Sequence, residues 1–395
     1  MEPPRKRSSI FSSNMDSAPQ EKLTVFRRTA LWLVLAVVCA ATLETAARVD
    51  DWLSYRAPML GTYEMSALFR PTPRGWRGVP HASYVKWALN AEGFRGPELK
   101  TEAGQIRVVA YGASETFGIY EDPDKEFPRA LERNLNLRVA PDEFEVINAG
   151  VPGMRVGSGI SFLYDLGREL HPKVVVIYPT PTHYVGVTHP YCGRPIMLPQ
   201  PPAVAWPKLR VAERIKDRLK DLLPAAGMTM LREIAIAWSV RHGRILDRVQ
   251  PQSLEALDTD LRCAVAAARE IGAIPILVTH ANRFGPKPRP DDYYWLTGWR
   301  LQYPEIRQSA LLDLEASANA RVRTVAEQEH VRVVDAGVVL SGDPANFADH
   351  AHFTNRGAEK MGMLLAGAIA ETLVAGEPDA HPGPGSSAAV SAALP

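Results

Sequence analysis

The apolar runs of this 395-residue chain predict an α/β/α sandwich around a mainly parallel, five-stranded sheet. Three observations carry that prediction. Short β-branched runs recur that are nearly continuous rather than alternating, as expected for strands covered on both faces. Longer segments with helical spacing separate them. Finally, Ser114, Gly150 and Thr182 all fall just beyond the carboxyl ends of such runs, where open sheets of this kind bind ligands.

The five strands are expected at Ile106–Tyr111 (IRVVAY), Phe144–Asn148 (FEVIN), Val174–Tyr178 (VVVIY), Ile274–Thr279 (IPILVT) and Val331–Asp335 (VRVVD). Helices are expected at Phe127–Leu137, Ser158–Leu170, Ser253–Ile271 and Ile306–Gln328. A final helix begins after Thr354 and Asn355, both cap-type residues, and puts Met361, Leu364, Leu365, Ala368 and Ile369 on one face. Residues 189–252 interrupt the alternation with a proline-rich piece (PIMLPQPPAVAWP). There follow Leu209, Val211, Ile215, Leu219, Leu222 and Leu223 at helical spacing among Arg and Lys. That helix fits either a cap over the sheet or an interfacial helix on an anionic membrane. Trp76, Trp87, Trp295 and Trp299 are candidates for a sugar-binding cleft or for core and rim positions.

Outside the body, residues 1–28 form a polar, basic start, and 376–395 a tail of Gly, Pro, Ser and Ala. Neither can bury enough apolar surface to offset its ordering entropy, so both are expected to be disordered. Thr29–Leu43 (TALWLVLAVVCAATL) follows Arg27 and Arg28, and Ala46 and Ala47 extend it towards the ~20 residues a spanning helix needs. The basic residues before this 29–47 segment favour a cytoplasmic N-terminus and an exported body. A cleaved signal peptide is the alternative, since Thr45-Ala46-Ala47 resembles a cleavage site. The body, residues 85–375, is long enough for one domain with an insertion.

A formal net charge of +1 gives no basic excess for a nucleic-acid partner. Three cysteines are too few for a zinc cluster or a disulfide framework, and with Cys39 in the apolar run, Cys192 and Cys263 are the pair that could bond. A metal site from Asp349, His350, His352, His280 and His189 lacks His-x-x-x-His spacing, so neither metal nor cofactor is expected.

The chemistry points to a serine nucleophile. A free hydroxyl attacks poorly at neutral pH; it needs a neutral imidazole to take its proton and a carboxylate to orient that imidazole. Ser114 in Gly112-Ala113-Ser114-Glu115-Thr116-Phe117-Gly118 leaves a strand, and His352 and Asp349 in Asp349-His350-Ala351-His352 precede the final helix. Glycine is absent at Thr116, so this is not the Gly-x-Ser-x-Gly elbow of α/β-hydrolases.

With Ile147-Asn148-Ala149-Gly150-Val151-Pro152-Gly153 and the lead-in Asn90-Ala91-Glu92-Gly93-Phe94-Arg95-Gly96-Pro97-Glu98, these blocks resemble the SGNH (GDSL-type) hydrolase family over about Val85 to Leu373, insertion apart. The resemblance implies a flavodoxin-like sheet, with Ser114 as nucleophile, His352 as base and then acid, and Asp349 as its partner. It also implies an oxyanion hole from the Ser114 and Gly150 N–H groups and a side chain of the third block. There the family's Asn-Asp pair falls on Thr182-His183, and its Asp before the serine is Ala113. Thr182 is the expected third donor, and His183, Tyr184 and His280 are further candidates for substrate contact. The implied protein is a bacterial, single-pass inner-membrane esterase or O-acyltransferase with a periplasmic body, acting on an acylated glycan or lipid ester. The altered third block leaves a rival: a binding or scaffold protein in surface-polysaccharide assembly.

Overall fold

The computed structural model describes residues 18–55, 59, 65–100, 104–194, 209–241, 243, 245–285 and 287–375. The outermost termini and the proline-rich 195–208 lie outside them. Five parallel strands form the sheet: β1 Ile106–Gly112, β2 Phe144–Gly150, β3 Val174–Tyr178, β4 Ile274–Val278 and β5 Arg332–Val334. Their order is β2-β1-β3-β4-β5, the flavodoxin-like arrangement, all pairs parallel.

The unbroken apolar runs are explained by burial on both faces. Val109, Tyr111, Val175 and Ile177 point to one layer, where they meet Leu163 and Leu166 of α4 (Ile160–Leu170), Leu257 and Leu261 of α7 (Pro251–Glu270), and Val322 and Val325 of α9 (Gln308–Gln328). Val108, Ala110, Val174 and Val176 point to the other, against Leu131 and Leu135 of α3 (Phe127–Arg138) and Met361 and Leu365 of α11 (Asn355–Ala375). Thr354 starts α11 as expected: its hydroxyl accepts the Gly357 N–H at 3.2 Å.

Several boundaries differ from expectation by one to two residues, and two of them have a visible cause. The helix expected from Ile306 begins only at Gln308, because the backbone of Ile306 pairs as a bridge with Leu246; α8 (Tyr293–Gln302) stands before it as a separate helix. β5 shrinks to three residues at the sheet edge, where it has one neighbour.

At the N-terminus, α1 (Ala18–Tyr55) contains one stretch, Arg27–Ser54, long and apolar enough to cross a membrane. The 189–252 insertion supplies α5 (Arg210–Asp221) and α6 (Ala225–Ser239). Its first residues are fastened to the body: Cys192 forms a disulfide with Cys263 of α7, and the Tyr191 and Cys192 N–H groups donate to Asp260, each at 2.9 Å.

Candidate active site

β1 ends at Gly112 and the chain turns into α2 (Ser114–Phe117), which sets Ser114 at the carboxyl edge of the sheet. The loop between α10 (Ala336–Leu340) and α11 crosses the same edge, held by bonds from the Arg283 N–H to the His350 carbonyl and from the Arg283 side chain to the Phe347 carbonyl. Ser114 Oγ and His352 Nε2 are thereby brought to 3.0 Å across 238 positions of sequence. Asp349 Oδ2 lies 2.8 Å from His352 Nδ1, while its Oδ1 accepts the N–H groups of Ala351 and His352 at 2.9 Å. The carboxylate thus shapes the turn and fixes the imidazole at once.

Burial alone would push the Asp349 pKa up, but the His352 hydrogen bond and charge, the His350 charge and the Ala351 N–H hold it far below the carboxylate range. Burial likewise pushes His352 down, and the Asp349 bond and charge, with Glu115 and Glu121, outweigh it to leave the imidazole above its ordinary value. Tyr120, half exposed, lies 5.6 Å from the His352 ring on the open side. His350 stacks on Trp299 at 5.4 Å, and its burial lowers its pKa to about 4, so it is neutral beside the reacting groups.

Beneath Ser114 lies a second network that motif reading missed. The buried Glu115 Oε2 accepts from Ser114 Oγ at 3.1 Å and Thr180 Oγ1 at 2.9 Å, and Oε1 lies 3.3 Å from His280 Nε2. The other nitrogen of His280 is 2.7 Å from Glu315 Oε2. Burial disfavours the His280 charge, yet Glu315 and Glu115 raise its pKa to about 10, and His280 in turn carries Glu115 well below the carboxylate range against its own burial. Glu115 adjoins the motif serine in sequence, a signal available from the start. Its link to His280 and Glu315 spans β4 and α9 and has no local trace.

Several expected residues stand elsewhere. Gly150 N–H already donates to Asn148 Oδ1 at 3.1 Å, and a Cβ there would come within 2.3 Å of the Phe117 nitrogen. The glycine therefore lets α2, rather than substrate, approach β2. Gly153 differs: φ is +80, nothing lies within 4 Å of a Cβ built on it, and its N–H makes no bond among the described residues. Thr182 is buried on the 3₁₀ turn after β3, its hydroxyl against the Tyr303 phenol. His183 Nδ1 is 3.0 Å from the Met154 carbonyl, and burial lowers its pKa. Tyr184 is a core residue, not a substrate contact: it is fully buried and its hydroxyl donates to Asp260 Oδ2 at 2.8 Å. His280 is also sealed from the cleft, under Tyr178, by the two carboxylates that bracket it. The four tryptophans do not share one cleft. Trp87 packs with Tyr84 near the N-terminal hairpins, and Trp299 is buried on Phe284. Among the described residues no group of three or more His, Cys, Asp or Glu could hold a metal ion.

A hydroxyl facing an imidazole backed by a buried carboxylate is the arrangement that serine hydrolases use for acyl transfer. No protein-family model matches the sequence, and no curated protein matches it. Among solved structures, the chain is similar to a lipase/acylhydrolase from Enterococcus faecalis (17% identity over 67% of this chain and 95% of that one, TM-score 0.36). It is also similar to the psychrotrophic esterase EstA of a Pseudoalteromonas species (10%, 68% and 100%, TM-score 0.39) and to a GDSL-like lipase of Bacteroides thetaiotaomicron (13%, 67% and 88%, TM-score 0.36). At these values the functional reading rests on the chain's own strand order and side-chain geometry.

Proposed function

We propose that the protein is a serine ester hydrolase or O-acyltransferase that works through an acyl-enzyme intermediate. His352 takes the Ser114 proton as Ser114 Oγ attacks an ester carbonyl. Asp349 stabilises the resulting imidazolium, and His352 then protonates the leaving alkoxide. Water or a glycan hydroxyl, deprotonated by His352, releases the acyl group. The N–H groups of Ser114 and Gly153 are the donors for the oxyanion, with the Thr182 hydroxyl as third; Gly150, whose amide is engaged, supports α2 instead. The observation that carries the reading is the pair of contacts at His352, 3.0 Å to Ser114 and 2.8 Å to Asp349.

The helix Arg27–Ser54 supports a single-pass anchor, and the Cys192–Cys263 disulfide supports a body in an oxidising compartment such as the periplasm. An O-acylated glycan or a lipid ester is the substrate class that this location favours. A fluorophosphonate probe tests the chemistry: the expected result is one adduct, mapped by mass spectrometry to Ser114 and absent in Ser114→Ala. Folded protein that takes no label would overturn the assignment.

One observation favours a second reading, a weakly catalytic binding protein in surface-polysaccharide assembly. The Ser114 hydroxyl has a competing acceptor, Glu115 Oε2 at 3.1 Å, beside His352 Nε2 at 3.0 Å. Inert Ser114 together with tight glycan binding would select it.

A further inference from the structure

Exposed large apolar side chains of the described residues concentrate on α1 and on the α5–α6 hairpin; elsewhere they are dispersed. On α5 and at its C-terminal cap, Ile215, Leu219 and Leu222 repeat at helical spacing and are more than half exposed; on α6, Met230, Ile234 and Trp238 do the same. The opposite face of α6 is spoken for: Ile236 is buried, Arg232 donates to the Tyr294 carbonyl at 2.6 Å, and Glu233 accepts from Tyr293 at 2.8 Å. The outward stripes therefore have no cover within the described chain, and so large an apolar surface marks a contact with something else.

What lies beside it indicates the partner. The N-terminus of α5 is capped by α1, where Glu44 accepts the N–H groups of Arg210 and Val211 at 2.9 and 3.0 Å. Arg210 pairs with Asp51, and Arg214 with Asp50 and Asp51 at 2.6 Å. Counted from Ala36, the middle of the apolar run, at ~1.5 Å per residue, Glu44 stands ~12 Å and Asp51 ~22 Å along the helix. The hydrocarbon boundary is ~15 Å from the bilayer centre. The crossing of α5 over α1 thus coincides with the level where a bilayer would end. Lys216 and Arg218 on α5, Trp238 and the Arg241 stacked on it supply the basic and aromatic groups suited to that level.

We propose that the α5–α6 hairpin is a membrane-interface foot. Its apolar stripes sink into the headgroup–acyl boundary of the bilayer that α1 crosses, and hold the Ser114 cleft at a fixed height over that surface. The proposal rests on the anchored reading of α1 and adds the lipid leaflet as the hairpin's partner.

The full-length protein in phosphatidylcholine–phosphatidylglycerol liposomes provides the test, with nitroxide labels read by power saturation against oxygen and a nickel chelate. One label sits on the native Cys39, a free cysteine within α1. In a Cys39→Ser background others sit at Leu219→Cys, Ile234→Cys and, as a water-facing reference, Leu137→Cys, a position 81% exposed on α3. The expected result is an oxygen-to-nickel accessibility ratio several-fold above the Leu137 reference at Cys39 and at both hairpin positions. Hairpin labels matching the reference while Cys39 reads lipid would overturn the foot and leave the anchor standing. Cys39 matching the reference would overturn the anchor and the foot together. Spin–spin broadening at the hairpin would show a second copy covering the stripes, which also overturns it.

Discussion

Two histidines flank the serine, each hydrogen-bonded to carboxylate, and their environments set them apart. His352 has one carboxylate, Asp349, at Nδ1, and turns Nε2 to the Ser114 hydroxyl with 15% of its side chain exposed. His280 has a carboxylate at each nitrogen, Glu315 and Glu115, and is 2% exposed. A base must give and take a proton near working pH, so it needs one nitrogen facing a group that can lose a proton. His280, bracketed by two acceptors and raised to about 10, remains protonated and acts as a fixed charge. A carboxylate beside an imidazole therefore does not by itself make a base; what faces the other nitrogen decides.

The comparison is broken most readily by exchanging each histidine for glutamine. His352→Gln should lower kcat/KM for a short-chain ester by about 10⁴-fold or more with the fold intact. His280→Gln should act first on stability, costing about 3 kcal/mol in urea unfolding because it leaves two buried carboxylates without their cation. A soluble, folded His280→Gln protein as inactive as His352→Gln would show that the two are not distinct.

Glu115 links the two sides. A serine hydroxyl carries one proton, so at 3.1 Å from Glu115 and 3.0 Å from His352 it can donate to only one of them. With His352 as the proposed base, activity should require its neutral form and rise as pH climbs through a pKa lying above the ordinary imidazole value. Burial opposes that elevation, while Asp349, Glu115 and Glu121 produce it. Glu115→Gln removes one of the negative charges, so the acid limb of the kcat/KM profile should move to lower pH; His350, neutral, and Tyr120, facing His352 from the solvent side, are unchanged. A limb that stays in place would detach Glu115 from His352.

A further effect concerns stability against pH. The native state binds the His280 proton more tightly than the unfolded chain, so its contribution is complete below the unfolded value near 6.5 and disappears as pH rises through about 10. The melting temperature should fall across that window, and this part of the slope should be missing in His280→Gln.

The contrast also marks how far the sequence could be read. The strands were legible because Phe144–Gly150, Val174–Tyr178 and Ile274–Val278 are buried throughout, and the motifs carrying Ser114 and His352 lie at one end of that sheet, 3.0 Å apart. Gly150 entered as an oxyanion donor through the resemblance alone; only the packing of α2 shows that the space beside it belongs to Phe117 and that its N–H donates to Asn148. Tyr184 and His280 looked available because a polar residue beyond a strand end can face the cleft or the core, and Asp260 and Glu315, distant in sequence, decide which. The α5 pattern was open between cap and interface because exposure of Ile215 and Leu219 is a property of the neighbours, not of the helix.

Everything proposed for this site turns on Ser114 as the nucleophile that His352 activates. Turnover of 4-nitrophenyl acetate by the wild-type protein and by Ser114→Ala, at matched circular dichroism, tests it most directly. An acyl-enzyme burst is expected in the first and none in the second, with steady turnover reduced by about 10⁴-fold or more. Equal rates from the two proteins would contradict it.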